Sequence, residues 1–189
     1  MPAVSPTASR SITRPSPGLA ILLLGAAALG ACSPTFNWRE LRPAGTPLQA
    51  LMPCKPDMAE RTVPLDGTPT PMQMHSCDAG SLTFAVAWAE LVSEDRVPAA
   101  IQGWRAGALA TLRLGGPQAE GVITDWVVKV PGAEHPQGVQ AMGQSPQGRP
   151  MRMRAAYFSK GRQVFQAAVY GAQLPEEELA TFFDALKLP

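Results

Sequence analysis

The sequence predicts a single α+β domain with a mostly antiparallel sheet and two covering helices. Residues 151–158 and 163–170 flank a Lys-Gly turn, which is typical of a hairpin. Residues 82–91 carry bulky apolar side chains at alternate positions. Two other stretches, residues 98–112 and 175–186, carry apolar residues every three or four positions. Hairpin-linked strands pair antiparallel, and each amphipathic helix needs an apolar surface to cover.

Prolines break up the first third of the chain, which favours short strands joined by turns over long helices. The candidate strands there are residues 47–52, 60–64 and 72–77. Turn-forming residues at 78–81 join the third of these to residues 82–91, which predicts a hairpin. Alternate positions of that second strand carry its bulky side chains, which we expect to share one face and pack on the core: Leu82, Phe84, Val86 and Trp88.

Helical spacing begins near Pro98, which suits the first turn of a helix, and ends at the Gly-Gly-Pro of residues 115–117. Strand character returns over residues 121–130 and again over residues 139–143. The closing helix begins near Pro175, where three successive glutamates place negative charge at the positive end of the helix dipole. Its predicted buried stripe is Leu179, Phe182, Phe183 and Leu186.

The order of these elements is an early extended segment, a middle helix, a final hairpin and a terminal helix. Together with the ending Phe-Phe-x-x-Leu-x-Leu at residues 182–188, it resembles the PsbP-like α/β/α sandwich. The resemblance covers most of residues 38–189 and rests on element order. The chain is also similar to small uncharacterised lipoproteins of proteobacteria.

The amino-terminal segment has the order of a secretory signal. Arg10 and Arg14 precede an apolar run at residues 18–29, which is shorter than the roughly 20 residues that a membrane-spanning helix needs. The run closes with Leu-Gly-Ala-Cys at residues 29–32, which resembles the lipobox of bacterial lipoproteins. The resemblance implies cleavage before Cys32 and lipid attachment to it. The predicted organisation is a signal peptide at 1–31, a lipidated tether at 32–37 and a globular domain at 38–189.

Serine follows the predicted lipidation site. In Gram-negative lipoproteins an aspartate at that position favours the inner membrane, so the resemblance implies the outer membrane, with the domain facing the periplasm. Residues 1–31 hold two of the 16 Lys and Arg residues and none of the 15 Asp and Glu residues, which leaves the mature chain with a formal charge near −1. Because no basic cluster is present, nucleic acid is not an expected partner.

The three cysteines are interpreted from the predicted compartment. With Cys32 lipidated, Cys54 and Cys77 remain as a pair in an oxidising space, and we predict a disulfide. An alternative is a copper(I) site, in which Cys54, His75 and Cys77 act with nearby soft ligands. Oxidised cysteines cannot be thiolate ligands, so the two interpretations exclude each other. The methionines near these cysteines are Met52, Met58, Met72 and Met74.

The sequence does not predict a nucleophilic serine. Gly143, Ser145 and Gly148 come close to a nucleophile elbow, but the second glycine is one position late and a proline follows the serine. These residues are therefore predicted to form a hairpin loop. His135 lies among glycine and proline residues and is predicted to be a solvated loop residue.

Aromatic and arginine side chains offer the remaining candidate sites. Trp88, Trp104 and Trp126 fall on apolar stripes and are predicted to be core residues. The alternative is that the tryptophans, with Tyr157 and Tyr170, line a ligand cavity. Trp38 either touches the membrane interface or packs under the sheet edge. Arg152 and Arg154 share one predicted strand face and form a possible binding face for an anionic group or a partner's carboxylates.

These observations favour a non-enzymatic accessory lipoprotein that binds a protein or an envelope component. The expected partners are the membrane, through the anchor, and that second component; no cofactor is expected beyond the covalent lipid. A soft-metal binding protein is the alternative function, and an enzyme of unknown class is the third.

Overall fold

The computed structural model describes residues 34–114 and 122–189. The predicted signal peptide, Cys32 and the helix-ending residues 115–117 lie outside this range, so their predicted roles remain predictions. Residues Thr35–Pro189 form one compact unit. Within the part of the chain that is described, no helix has the length and apolar character needed to cross a membrane.

The described chain contains nine strands and two α-helices. A short 3-10 turn, Glu94–Arg96, directly precedes the first α-helix. The strands are β1 (Arg39–Leu41), β2 (Ala50–Met52), β3 (Asp57–Pro64), β4 (Pro69–Ala79), β5 (Leu82–Glu90), β6 (Val122–Trp126), β7 (Glu134–Gln144), β8 (Pro150–Lys160) and β9 (Gln163–Gly171). The helices are α1 (Val97–Thr111) and α2 (Glu176–Asp184).

Seven strands form one sheet in the order β3-β4-β5-β9-β8-β7-β6, while β1 and β2 form a separate two-stranded sheet. Every neighbouring pair in the large sheet is antiparallel. The structure therefore has the predicted α+β class, with a mostly antiparallel sheet and two helices in a single domain.

The large sheet is covered on both faces, as the alternation along β5 shows. Phe84, Val86 and Trp88 pack with α2 and the small sheet, whereas Ala87 and Ala89 pack with α1. The prediction that the bulky side packs on the core is correct, but the alanine side is also buried, with Ala87 only 1% exposed. The sequence pattern could not show this second core, because it depends on α1 returning across the sheet.

The bounds of two predicted strands differ from the structure by more than three residues. The prediction of a strand at residues 121–130 is too long, because β6 ends at Trp126 while Val128 and Val130 are buried without strand pairing. The prediction at residues 139–143 is too short, because β7 begins at Glu134. Its first part carries a β-bulge between Glu134 and Gln137, where a proline is tolerated because the ladder is interrupted.

The turn between β3 and β4 lies against the start of α1. Asp66, with a side chain only 3% exposed, forms an ion pair with Arg96 at 2.5 Å. The Asp66 carboxylate also accepts a hydrogen bond from the backbone N–H of Thr68 at 3.1 Å, and Arg96 donates to the Thr68 hydroxyl. These contacts hold the hairpin tip beside the helix and thereby form one wall of a cleft.

Candidate functional site

An apolar cleft lies between α1, the end of β3 and the sheet. Its volume is about 320 Å³, which is at the lower end of the range of small-molecule sites, roughly 300–1,000 Å³. No lining residue has an ionised side chain at neutral pH among those that the structure describes. The lining residues are Val63, Pro64, Leu65, Met72, Gly103, Trp104, Gly107, Ala108, Thr111, Gln166 and Tyr170.

Small residues leave the space beneath α1. On the helix side, a Cβ built on Gly107 would have no atom within 4 Å. On the sheet side, β5 presents alanines toward the helix, and the register places Ala87 between Met74 of β4 and Gln166 of β9. The alanine side chain is shorter than those of Met74 and Gln166, so space remains between β5 and the helix.

Gly103 has a different role one turn earlier on the same helix. A Cβ at Gly103 would lie 1.7 Å from the carbonyl oxygen of Leu65, so only glycine allows the hairpin to approach this closely. This contact, with the ion pair between Asp66 and Arg96, sets the position of the hairpin wall.

The polar side chains that line the cleft are Thr111 of α1, whose hydroxyl donates to the Ala108 carbonyl, and Gln166 and Tyr170 of β9. Gln166 is 8% exposed, and its Nε2 donates a hydrogen bond to the Tyr157 hydroxyl at 3.0 Å, across the β8–β9 ladder. Burial raises the pKa of Tyr170 to about 12 and also raises the pKa of Tyr157. Both phenols are therefore neutral at physiological pH, and the site offers uncharged hydrogen-bonding groups in apolar surroundings.

The predicted cysteine pair lies outside this cleft. Cys54 and Cys77 are joined by a disulfide with an S–S distance of 2.06 Å and a Cα–Cα distance of 6.1 Å. The bond ties the segment after β2 to β4 of the large sheet. In the chain-entropy model, a loop of this length stabilises the fold by about 3 kcal/mol.

The side chains named for the alternative metal site lie on both faces of the large sheet. His75 is 8% exposed and stacks on Trp88 with ring centroids 5.3 Å apart, and this burial lowers its pKa. His75 and Cys77 lie on the sheet face opposite Met72 and Met74, so one strand cannot direct all four at one ion. In residues 34–114 and 122–189, no group of three or more His, Cys, Asp or Glu side chains is arranged to hold a metal ion.

Arg154, one of the two predicted binding-face residues, is already engaged. Its guanidinium donates two hydrogen bonds of 2.8 Å to the Glu176 carboxylate at the start of α2 and lies 5.4 Å from the Trp126 ring centre. The Arg154 guanidinium is therefore paired with a carboxylate of its own chain, and the binding face predicted at Arg152 and Arg154 stays a prediction. Arg152 lines a shallower depression of about 170 Å³ beside Val122 and Met142.

Ser145 and His135 were the predicted non-catalytic residues. Ser145 lies in the loop between β7 and β8 as predicted, and its hydroxyl accepts a hydrogen bond from the N–H of Arg149 at 3.2 Å. His135 is exposed but lies in the β7 bulge rather than in a loop, with Nδ1 3.2 Å from the Ser159 hydroxyl. Ser159 is fully buried and donates to the carbonyl of Glu134, so this pair does not present a nucleophile. The pairing joins residues 24 positions apart and left no local signal in the sequence.

The tryptophans mostly follow their prediction. Trp88 and Trp104 are buried, while Trp126 is half-buried beneath α2. Trp38 packs edge-on against Phe84, with ring centroids 5.9 Å apart. Of the two alternatives for this residue, the structure shows packing against the sheet.

Comparisons with known proteins do not identify the chain. No family model matches it, and no curated protein matches it. A solved structure, the protein of unknown function PA94 from Pseudomonas aeruginosa, is 13% identical over 76% of this chain and 90% of its own. The TM-score is 0.37, which is too low to support a conclusion about fold or function.

Proposed function

We propose that this protein is a lipid-anchored binding module at the periplasmic face of the outer membrane. It acts without catalysis, by binding a protein or another envelope component. Its anchor is a lipid on Cys32, and its domain has the PsbP-like α/β/α arrangement.

The sequence motif at residues 29–32 supports the anchor. The compact unit begins at Thr35, and an extended chain advances at most about 3.6 Å per residue, so a lipid on Cys32 would hold the domain by a short tether. A short tether suits a domain whose partner belongs to the envelope.

The observation that carries the binding role is the cleft beneath α1. It combines an uncharged, mainly apolar lining with one buried carboxamide, which is the usual composition of a ligand site. General acid–base or nucleophilic catalysis would require a titratable or nucleophilic group positioned in the site. The two tyrosines near the cleft have raised pKa values and are poor candidates for a base.

The anchor is tested by palmitate labelling and membrane fractionation. Cys32→Ser should abolish labelling and release the protein from the membrane, whereas Ser33→Asp should keep the label and move the protein to the inner membrane. The second variant controls for expression and export. Undiminished palmitate incorporation in the Cys32→Ser variant would overturn the anchor.

The binding role is tested by recovery of partners from detergent-solubilised envelopes with the full lipidated protein as bait. We expect a specific envelope component to be recovered with the wild-type protein and not with an unrelated lipoprotein of similar size. Repeated recovery of the same background proteins with both baits would contradict the proposal.

A further inference from the structure

We propose that the cleft beneath α1 binds a neutral, apolar small molecule that carries one hydrogen-bond donor. The inference deepens the proposed binding function, on which it rests. It assigns the ligand chemistry to the residues that line the cleft, most of which no sequence-based prediction singled out.

The size of the ligand follows from the volume of the cleft. At about 320 Å³ and with the packing density of protein interiors, about 0.75, the cleft holds on the order of 15 non-hydrogen atoms. Fused or linked ring systems of two or three rings have this size.

The neutrality of the ligand follows from the lining. No lining residue among those described bears a charge at neutral pH. An ion placed there would lose its hydration without gaining a counter-ion, which is unfavourable. A charged compound is therefore expected to bind more weakly than its neutral analogue.

The hydrogen-bond donor is required by Gln166. Its side-chain amide nitrogen donates a hydrogen bond to the Tyr157 hydroxyl. Its side-chain carbonyl oxygen has no hydrogen-bond partner within the described residues. The residue is 8% exposed and faces the cleft. No enclosed side-chain nitrogen or oxygen in the described residues lacks a hydrogen-bond partner, so this oxygen is open to the cleft. A ligand that covers it without an N–H or O–H would leave the acceptor unpaired, which costs about 1–3 kcal/mol, so a donor on the ligand is favoured at this point.

Gly107 lies at the exposed mouth of the cleft. Glycine within a helix is about 1 kcal/mol less favourable than alanine. At Gly103 the close approach of Leu65 explains the glycine, but at Gly107 no atom lies within 4 Å of the missing Cβ. A ligand that occupies this space would account for the second glycine.

The test uses two probes of equal size that differ in one group. N-phenyl-1-naphthylamine carries an N–H donor, and 1-phenoxynaphthalene has an ether oxygen in its place. Binding to the full lipidated protein in detergent micelles is measured by energy transfer from tryptophan, because Trp104 lines the cleft. All variants carry the same lipid and the same micelle, so differences between variants report the cleft.

We expect one amine probe to bind per protein, with about tenfold preference over the ether, which corresponds to about 1.4 kcal/mol. Gly107→Leu should weaken binding at least about tenfold by filling the cleft, whereas Ala106→Leu, on the exposed side of α1, should change it less than about twofold. Gln166→Met should reduce the preference for the amine to less than about twofold.

Three results would overturn the inference: no saturable binding of the amine, equal binding by the Gly107→Leu and wild-type proteins, or an equal or greater affinity for the ether in the wild-type protein. Circular dichroism of each variant shows whether it is folded. Failure of probe binding with successful recovery of an envelope partner would refute only the ligand assignment. Failure of partner recovery with specific probe binding would refute only the broader function.

Discussion

The two glycines of α1 allow one substitution to be tested in two environments. Gly107→Ala adds a methyl group where no atom lies within 4 Å, so it should gain the helix propensity of alanine without a steric cost. That gain is about 1 kcal/mol. Gly103→Ala adds the same group 1.7 Å from the Leu65 carbonyl oxygen.

The expected cost at Gly103 follows from the distance. The helix and the hairpin would have to separate by about 1.3 Å to reach 3.0 Å, below which real Cβ contacts essentially do not occur. Overpacking a close contact costs about 1–3 kcal/mol, and this displacement places the substitution near the upper value. After the propensity gain of about 1 kcal/mol, the net loss is about 2 kcal/mol.

Urea unfolding followed by tryptophan fluorescence measures both variants with the disulfide intact. With a slope of about 2 kcal/mol/M, the midpoint should rise by about 0.5 M for Gly107→Ala and fall by about 1 M for Gly103→Ala. An unchanged or higher midpoint for Gly103→Ala would show that the hairpin does not rest on the helix. A lower midpoint for Gly107→Ala would show that the cleft is not open there.

Three further predictions concern the disulfide, the buried phenols and the α2 ion pair. Replacing Cys54 and Cys77 together by serine should lower the free energy of unfolding by about 3 kcal/mol, and the wild-type protein should show no free thiol at either cysteine after denaturation; two reactive thiols would instead favour the metal alternative. The chain has two tyrosines, and burial raises the pKa of Tyr170 from 10.0 to about 12. The free energy of unfolding should therefore be constant below pH 10 and fall as the pH rises from 10 toward 12. Absorbance of the folded protein at 295 nm should show phenolate only above about pH 11. The hydrogen bond from Arg154 lowers the pKa of Glu176 below 4.5, so Glu176→Gln should reduce stability by less than about 1 kcal/mol at pH 7, and the difference should disappear as the pH falls through the lowered pKa.

For the phenols, early titration of one tyrosine near pH 10 in the folded protein would contradict their burial. For Glu176, a difference in urea midpoint that persists unchanged at pH 3 would show that the charge of the carboxylate is not the source of its effect.

The elements with a strong local period could be predicted from the sequence. Strands β5, β8 and β9 and helices α1 and α2 lie within a few residues of their predicted positions, because alternation and helical spacing follow directly from burial of one face. The early part of β7 could not be predicted, because its glycines and proline are typical of a loop. The bulge that accommodates them depends on pairing with β8.

The cleft could not be predicted, because every contact that forms it is distant in the sequence. Leu65 and Gly103 are separated by 38 positions in the numbering, and Gln166 meets Tyr157 only through the register of β8 and β9. The available signal was the pair of glycines one turn apart in a helical pattern, with the alanines of β5. Neither feature has a distinctive chemistry by itself, since small residues in an element are more often explained by close packing.

The two faces of the large sheet are held by different interactions. The α2 face carries the disulfide and the bidentate contact of Arg154 with Glu176. It also carries an aromatic cluster, in which the ring centroids of Phe84 and Phe182 are 5.3 Å apart. On the α1 face, the hairpin wall is held by one buried ion pair and the contact at Gly103. The hairpin can therefore adjust to a ligand without breaking a covalent bond.

The amino-terminal segment joins the firmly held face. Trp38 packs on Phe84 and belongs with the core beneath α2. Phe36 and Trp38, which follow the proposed attachment site, therefore lie on the sheet face opposite the cleft. Anchoring and ligand binding would then use different faces of the sheet, so loss of the lipid should change where the protein resides without changing the affinity of the cleft.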